Sequence, residues 1–188
     1  VALPATAFKV GSWNLNGSST EDILLTTLSF DVDEVTVSAD DFNESDFTNM
    51  YVVVKSGSTI VSQPSPLATV SAADNNYSVN YTLAKNTNVT IELFANLGST
   101  VTAAEKVKTD LTVTGTAMVS GSAVTATSAD TDGQTLTAGT ASITVSKDAS
   151  SPVTAIVYDN QTVTTLAAKF DAVTAGYNIT DMTVTVGA

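Results

Sequence analysis

Apolar residues alternate with polar ones along most of this chain, and that period of two limits the fold more than any other feature. The clearest run is Tyr77, Val79, Tyr81 and Leu83, and the same spacing returns after a turn at 89–93. Successive side chains of a β-strand point to opposite faces, so such a run buries one face and leaves the other in water. Helical spacing is weak throughout. The pattern therefore predicts an all-β protein.

Strand-like segments follow one another at the intervals typical of a β-sandwich, and roughly 12 to 14 strands are expected. A Ser-Gly-Ser turn at 56–58 predicts a hairpin. The best helical signal, 38–46, predicts one short turn capped by Ser38. The other predicted strands are centred on residues 28–32, 50–54, 59–61, 111–113, 124–126, 143–145, 156–158, 170–172 and 182–186.

Missing residue types narrow the chemistry. The 188 residues include no His, Cys or Arg, so the usual activated nucleophiles, zinc ligands and disulfides are excluded. Seven Lys stand against 19 acidic residues, and the net charge of −12 argues against nucleic-acid binding. The longest charge-free run, 111–129, is about half Ser, Thr and Gly, so we expect no membrane span.

The overall composition predicts an extracellular or cell-surface protein. Thr (32 residues) and Ser (20 residues) are unusually abundant, while 43% of the residues are apolar, which excludes a disordered chain. No signal peptide is visible, and residue 1 lies in strand-like sequence. We therefore expect a processed chain or a fragment.

Composition changes near residue 110, where the sequence simplifies to Thr, Ala, Ser, Val and Gly. This change predicts a larger module over 1–110 and a smaller one over 111–188. The end of the chain also echoes its beginning, because Phe8 and Phe170 stand 162 positions apart in similar strand-like segments. The echo indicates either the opening strands of a second copy or a chance similarity between β-strands.

The segment from Ile143 to Pro152, followed by 156–157 and 166–170, resembles a recurrent pattern in known proteins. The pattern belongs to the immunoglobulin-like repeats of large surface proteins from candidate-phyla-radiation bacteria, and residues 8–30 and 77–94 resemble other strands of that repeat. The resemblance implies two tandem immunoglobulin-like antiparallel β-sandwich modules. Because the chain barely exceeds one period, the resemblance favours single subunits in a non-covalent polymer, similar to donor-strand fibres, or a piece of a longer chain.

Both chain ends are predicted sites of strand exchange between subunits. In the repeat pattern, residues 151–162 precede the strand that contains Phe170, whereas the chain starts at Val1, almost at the equivalent strand. The first module would therefore lack its leading strand and expose a groove and an edge. The residues predicted to take part are Met182, Val184 and Val186 in the tail and, as second choice, Leu3, Phe8 and Val10 near the N-terminus. The alternative is that both ends complete their own modules.

Seven Asn-x-Ser/Thr sequons are predicted glycan acceptors in a secreted chain. Asn76 and Asn80 alternate with the apolar side of their strand, so both are expected to point outward. The alternative is that Ser- and Thr-rich strands generate unused sequons by chance. The sequons are Asn16, Asn43, Asn76, Asn80, Asn88, Asn160 and Asn178.

Two acidic clusters offer the oxygen ligands that Ca²⁺ prefers, although neither has complete EF-hand spacing. Solvated acidic loops are the favoured alternative, and no other cofactor is expected. The clusters comprise Asp40, Asp41, Asn43, Glu44 and Asp46 in one loop and Asp130, Asp132 and Gly133 in another.

These features predict a structural, non-catalytic subunit of an extracellular fibril, with other copies of itself as partners. The alternative is a monomeric surface adhesin or carbohydrate-binding module, with Trp13 as part of a sugar platform; Tyr77 and Tyr81 are expected in the core instead. The acid pairs Glu21/Asp22 and Asp33/Glu34 do not predict a glycosidase, because neighbouring residues of a strand point to opposite faces.

Overall fold

The computed structural model describes residues 1–35, 42–98, 101, 104–128, 135–153, 156 and 158–185. Within these ranges the chain forms antiparallel sheets, one 3-10 helix (Glu44–Asp46) and no α-helix, which confirms the all-β prediction. Contacts divide the chain into a first unit, Val1 with Leu3–Gly139, and a second unit, Ala2 with Thr140–Ala188. The strands are β1 (Ala5–Asn16), β2 (Ile23–Glu34), β3 (Phe47–Ser56), β4 (Thr59–Ser62), β5 (Leu67–Thr69), β6 (Asn75–Leu83), β7 (Asn88–Leu97), β8 (Lys106–Ala117), β9 (Ala123–Thr127), β10 (Leu136–Thr137), β11 (Ser142–Lys147) and β12 (Ala168–Val173).

The first unit is a sandwich of two antiparallel sheets. One sheet has the order β1-β7-β3-β4, with β5 also paired to β3. The other has the order β10-β8-β2-β6, with β9 also paired to β8. The apolar sides of both sheets contribute to a single core. The alternation in the sequence therefore produces two sheets that bury their apolar faces against each other.

Strands β2 and β6 follow the predicted alternation closely. Leu28 and Phe30 are fully buried, and they lie opposite Tyr77 and Asn75 in the neighbouring strand. The Tyr77 hydroxyl donates a hydrogen bond to the Met50 carbonyl at 2.7 Å, and burial raises the pKa of this tyrosine. A polar ring fits this core because its one polar atom has a partner.

The N-terminal strand belongs to the sandwich. Strand β1 pairs antiparallel with β7 from Ala5 to Asn16. Val10 is fully buried, and Leu3 and Phe8 pack against the core while remaining partly exposed. The three N-terminal residues predicted for strand exchange thus lie in contact with the core of their own unit.

The composition change near residue 110 does not coincide with a break in the structure. Strand β8 runs through the expected 110/111 boundary and pairs with β2 from Val107 to Ala117. The division by contacts falls instead between Gly139 and Thr140. The simpler composition after 110 reflects the small polar residues of β8 and the exposed strand β9, which belong to the same sheet.

The second unit contains much less regular structure. Its described residues form one two-stranded sheet, β11 with β12. The predicted strands at 156–158 and 182–186 are absent from the described positions 156, 158 and 182–185, and Val186 lies outside the described residues. An alternating segment becomes a strand only when a neighbour satisfies its backbone groups. The described part of 140–188 therefore forms one two-stranded sheet.

Candidate interaction surfaces

Six of the seven sequons are exposed. On β6 the predicted outward orientation is observed, since Asn76 and Asn80 are exposed while Tyr77 is buried. Asn43 differs, because its side-chain oxygen accepts hydrogen bonds from the Ser45 amide at 2.9 Å and the Ser45 hydroxyl at 2.7 Å. The exposed sequons are Asn16, Asn76, Asn80, Asn88, Asn160 and Asn178.

The first acidic loop is only partly described, since Asp40 and Asp41 lie outside the described residues. Asn43 is the N-cap of the 3-10 helix, and its backbone amide donates to the Asp46 carboxylate at 3.2 Å. Within the described ranges, no three carboxylates are grouped as a metal site would require. The second loop, 130–133, is also outside the described residues.

The adjacent acids Glu21 and Asp22 bind backbone amides of two turns. The Glu21 carboxylate accepts hydrogen bonds from Ser120 at 2.9 Å and Val119 at 2.7 Å, and these bonds lower its pKa. Asp22 accepts one from the Lys85 amide at 2.8 Å. Each carboxylate thus fixes the turn after a strand: Glu21 the turn between β8 and β9, and Asp22 the turn between β6 and β7.

The outer face of the β1-β7-β3 sheet carries an aromatic pair beside an ionic cluster. The rings of Tyr51 and Phe94 stack at a centroid distance of 5.1 Å, and both side chains are half-buried. Glu92 forms ion pairs with Lys9, at 3.1 Å, and with Lys55. The hydrogen bond from Lys55, followed by that from Lys9, lowers the pKa of Glu92 despite opposing desolvation.

One side of the sandwich is open, between β1 in one sheet and β9 in the other. Among the described residues, β1 pairs only with β7 and β9 pairs only with β8, so both are edge strands here. Two cavities of about 460 Å³ and 390 Å³ lie along this side, and Leu15, Val113 and Ala126 line both. We call this surface the open groove. The larger cavity has a mostly apolar lining, whereas Ser12, Asn14, Thr127 and Ser128 add polar groups to the lining of the smaller one.

The single tryptophan of the chain lines the open groove. The Trp13 ring packs against Phe30 with 5.5 Å between centroids, and it lies so close to Gly11 that a Cβ there would clash with the ring. The indole N–H is buried and has no hydrogen-bond partner in the described part of the chain. Trp13 is therefore a partly exposed wall of the groove.

The two-stranded sheet of the second unit has one apolar face. Val145 lies opposite Phe170, and Ile143 opposite Ala172, so these four side chains share a face. Ile143 is 39% exposed, Val145 61% and Phe170 37%. The other face carries Thr144, Ser146 and the ion pair of Lys169 with Asp171. We call Ile143, Val145 and Phe170 the hairpin face.

The predicted donor residues in the tail are exposed. Met182 is 69% exposed and Val184 68%, and neither lies in a strand. Tyr177 and Ile179, just before them, are also exposed. The two ends of the chain therefore differ, since the N-terminal residues pack into the core of their unit and the tail residues do not.

Comparison of the chain with protein-family models, with curated proteins and with solved structures finds no match in any of the three. Among the described residues, no helix is long and apolar enough to cross a membrane. The function must therefore be argued from the surfaces described above.

The sequence predicted that the first module would expose a groove and an edge, but it predicted neither the residues that line the open groove nor the hairpin face. The groove combines β1 with β8 and β9, which lie much later in the chain, and only the strand order brings them together. The capping role of Asn43 did have a sequence signal. Asp46 stands three residues after Asn43, the spacing of a reciprocal cap at a helix start.

Proposed function

We propose that this protein is a structural, non-catalytic subunit of an extracellular or cell-surface fibril. Subunits join head to tail by β-strand exchange, and the exposed sequons carry glycans. The second unit of one copy supplies the strands and the first unit of the next copy accepts them. The modules then correspond to immunoglobulin-like repeats.

The exposed apolar side chains of the second unit carry this proposal. An isolated two-stranded sheet is marginally stable in water, because it has no layer to cover its apolar face. Contiguous exposed apolar surface of this kind is typical of protein interaction sites. The large apolar residues left exposed in the second unit are Ile143, Val145, Val153, Ile156, Tyr158, Val163, Leu166, Phe170, Val173, Tyr177, Ile179, Met182 and Val184.

Substitutions in the tail test the proposal. Val184→Asp places a carboxylate where strand exchange buries an apolar side chain, so we expect filament yield to fall about 10²-fold or more. Removal of all residues after Gly176 should abolish filaments. The matched control is Thr183→Asp, which adds the same charge at the neighbouring exposed position and should assemble like the parent. Filaments are counted by negative-stain electron microscopy and monomer folding is checked by thermal unfolding.

Absence of filaments from the parent chain at every concentration contradicts the fibril. Filaments kept by both tail variants contradict the tail as donor. If the Val184→Asp monomer loses the cooperative thermal unfolding of the parent, the tail stabilises its own chain and is not a donor.

Glycosylation is tested on protein from the native source. Peptides that span Asn76 to Thr90 should carry extra mass, because their sequons lie on exposed strand positions. Asn43 provides an internal control, since its side chain is engaged in the helix cap and should remain unmodified. Unmodified peptides at all seven sequons contradict this part of the proposal.

The second candidate function is a monomeric surface adhesin or carbohydrate-binding module. The observation that favours it is the stacked pair of Tyr51 and Phe94 on an outer sheet face beside Glu92. Aromatic faces with adjacent polar groups are suited to sugars. A glycan array with the parent and Phe94→Ala would test it, with Thr90→Ala on the same outward side of β7 as control.

A further inference from the structure

The open groove leaves both backbone and apolar groups without partners. Strand β1 is an edge strand along the groove, so one row of its backbone groups has no partner strand among the described residues. The groove is closed near the start of β1, where the Val1 amino group donates to the Thr137 carbonyl at 2.6 Å and the Gly139 amide donates to the Val1 carbonyl at 2.8 Å. The two cavities lie beyond, along the second half of β1.

The buried N–H of Trp13 is a second sign that the groove lacks an occupant. A buried donor without an acceptor costs free energy, and native structures contain few of them. This donor belongs to a residue that lines the 390 Å³ cavity.

The hairpin face is a second surface whose apolar side chains are left exposed. Its apolar side chains have no covering layer among the described residues, and the opposite face carries Val173 beside the Lys169–Asp171 ion pair at 2.8 Å. In the first unit, Phe8 and Val10 of the segment that the sequence echo matches to β12 pack against the core. There a second sheet is present to cover them.

Charge distinguishes the two surfaces as well. The first unit has five lysines and fifteen acidic residues, a net charge of −10. The second unit has two lysines and four acidic residues, a net charge of −2. Lys147 extends the row of Ile143 and Val145 on β11, and Glu21 is the charged residue of the groove lining. Attraction between these two unlike charges favours approach of the hairpin face to the groove of another copy, whereas two first units repel each other more strongly.

We propose that the β11–β12 sheet of one copy docks with its hairpin face over the open groove of a second copy, extending the sheet that ends at β1. This inference rests on the proposed head-to-tail assembly and identifies the open groove as its acceptor surface. Backbone hydrogen bonds along β1 provide general affinity, and the entry of apolar side chains into the two cavities provides selectivity.

Two pairs of matched variants test the proposal in the full chain. Ala126→Asp places a charge on the groove wall at an exposed position, and Thr125→Asp places it on the adjacent residue of β9, which lines neither cavity. Val145→Asp changes the hairpin face, and Thr144→Asp changes the opposite face of β11. We expect the two substitutions on the apolar surfaces to weaken self-association about tenfold or more, and the two controls to retain it.

Trp13 reports occupancy of the groove directly, because it is the only tryptophan. Its fluorescence should become less accessible to acrylamide as protein concentration rises, in step with association measured by analytical ultracentrifugation. Ala126→Asp and Val145→Asp should abolish this protection, and circular dichroism checks that both remain folded. Because Ala126 is exposed, its variant keeps the test valid if Val145→Asp does not fold.

A mixing experiment tests the polarity. Ala126→Asp retains an intact hairpin face and Val145→Asp retains an intact groove, so an equimolar mixture should form one-to-one dimers and no longer species. Absence of dimers from the mixture would overturn the proposal. A loss of self-association in Thr125→Asp equal to that in Ala126→Asp would overturn it as well.

The outcomes also separate this inference from the proposed function. If Ala126→Asp forms filaments as well as the parent does, while truncation of the tail abolishes them, the groove is not the acceptor. The proposed fibril is then not contradicted. A parent that stays monomeric with Trp13 accessible overturns both. A parent that stays monomeric with Trp13 protected at every concentration shows that the groove is filled within one chain, which overturns docking between copies.

Discussion

Strands β1 and β12 carry similar residues but differ in their surroundings. In β1, Val10 is fully buried against the second sheet of the sandwich. In β12, Phe170 remains 37% exposed, and Val145 opposite it is 61% exposed. The apolar pattern is thus necessary for burial but does not produce it, because burial requires a second layer of chain. This difference supports the proposal that the second unit assembles with another copy.

Hydrogen exchange should reveal this difference most strongly. Amides in the central strands β2 and β8 exchange only when the sandwich unfolds, whereas those in β11 and β12 exchange through local opening. We expect protection factors that differ by about a thousandfold or more in the monomer. Mass spectrometry of exchanged peptides measures this. Similar protection in the two regions would show that the second unit is stable without a partner.

Removal of one phenylalanine side chain from each unit should give the next largest effect. Phe30→Ala empties a fully buried site between Trp13 and Tyr77, which should cost about 3–5 kcal/mol of unfolding free energy. Phe170→Ala should cost less than about 1 kcal/mol in the monomer, because this ring has no core around it. Urea unfolding followed by circular dichroism measures both. An equal loss in the two variants would contradict the comparison.

A buried amide tests whether the first unit depends on polar contacts as well. Asn75 is 3% exposed, and its side-chain NH₂ donates to the Phe30 carbonyl at 2.9 Å and the Ser71 carbonyl at 2.6 Å. Asn75→Ala leaves these carbonyls without that partner and should cost about 1–3 kcal/mol. Asn76→Ala at the adjacent exposed position is the control and should change stability by less than about 0.5 kcal/mol. Comparable losses would mean that the buried amide has no special role.

The smallest expected effect concerns acid pH. The folded state lowers the pKa of Glu92 below its ordinary value of 4.5 through Lys55 and Lys9, so its stabilisation is complete above that pH and is lost as the pH falls through the lower, folded-state value. Glu92→Gln should remove this part of the acid dependence and cost roughly 1 kcal/mol or less at neutral pH. Thermal unfolding of both proteins between neutral and acid pH measures it. Parallel curves would contradict a role for this carboxylate.

The sequence predicts the strands of the sandwich well, because their apolar side chains alternate where both a partner strand and a covering sheet exist. Strands β2, β6 and β7 illustrate this. The same reasoning fails at Ile156, Met182 and Val184, which alternate but form no strand. Side-chain periodicity contains no information about whether a backbone neighbour is available.

The interaction surfaces were predictable only in part. Exposure of Asn76 and Asn80 follows from alternation within one strand, so the sequence was sufficient. The groove wall formed by Trp13 and Ala126 depends on two strands more than 100 residues apart, and no local pattern encodes their proximity.

The sequence by itself determined the class of this protein: an acidic all-β chain without His, Cys or Arg, built from Thr- and Ser-rich strands that have one apolar side. These properties are local, since they depend on residue types and on a spacing of two. The tertiary structure alone decided which strands pair, that β8 continues through residue 110, and that β1 is covered while β12 is not. Those outcomes depend on contacts between residues distant in the chain, and the free energy of such contacts is set by the neighbours present and not by the strand itself.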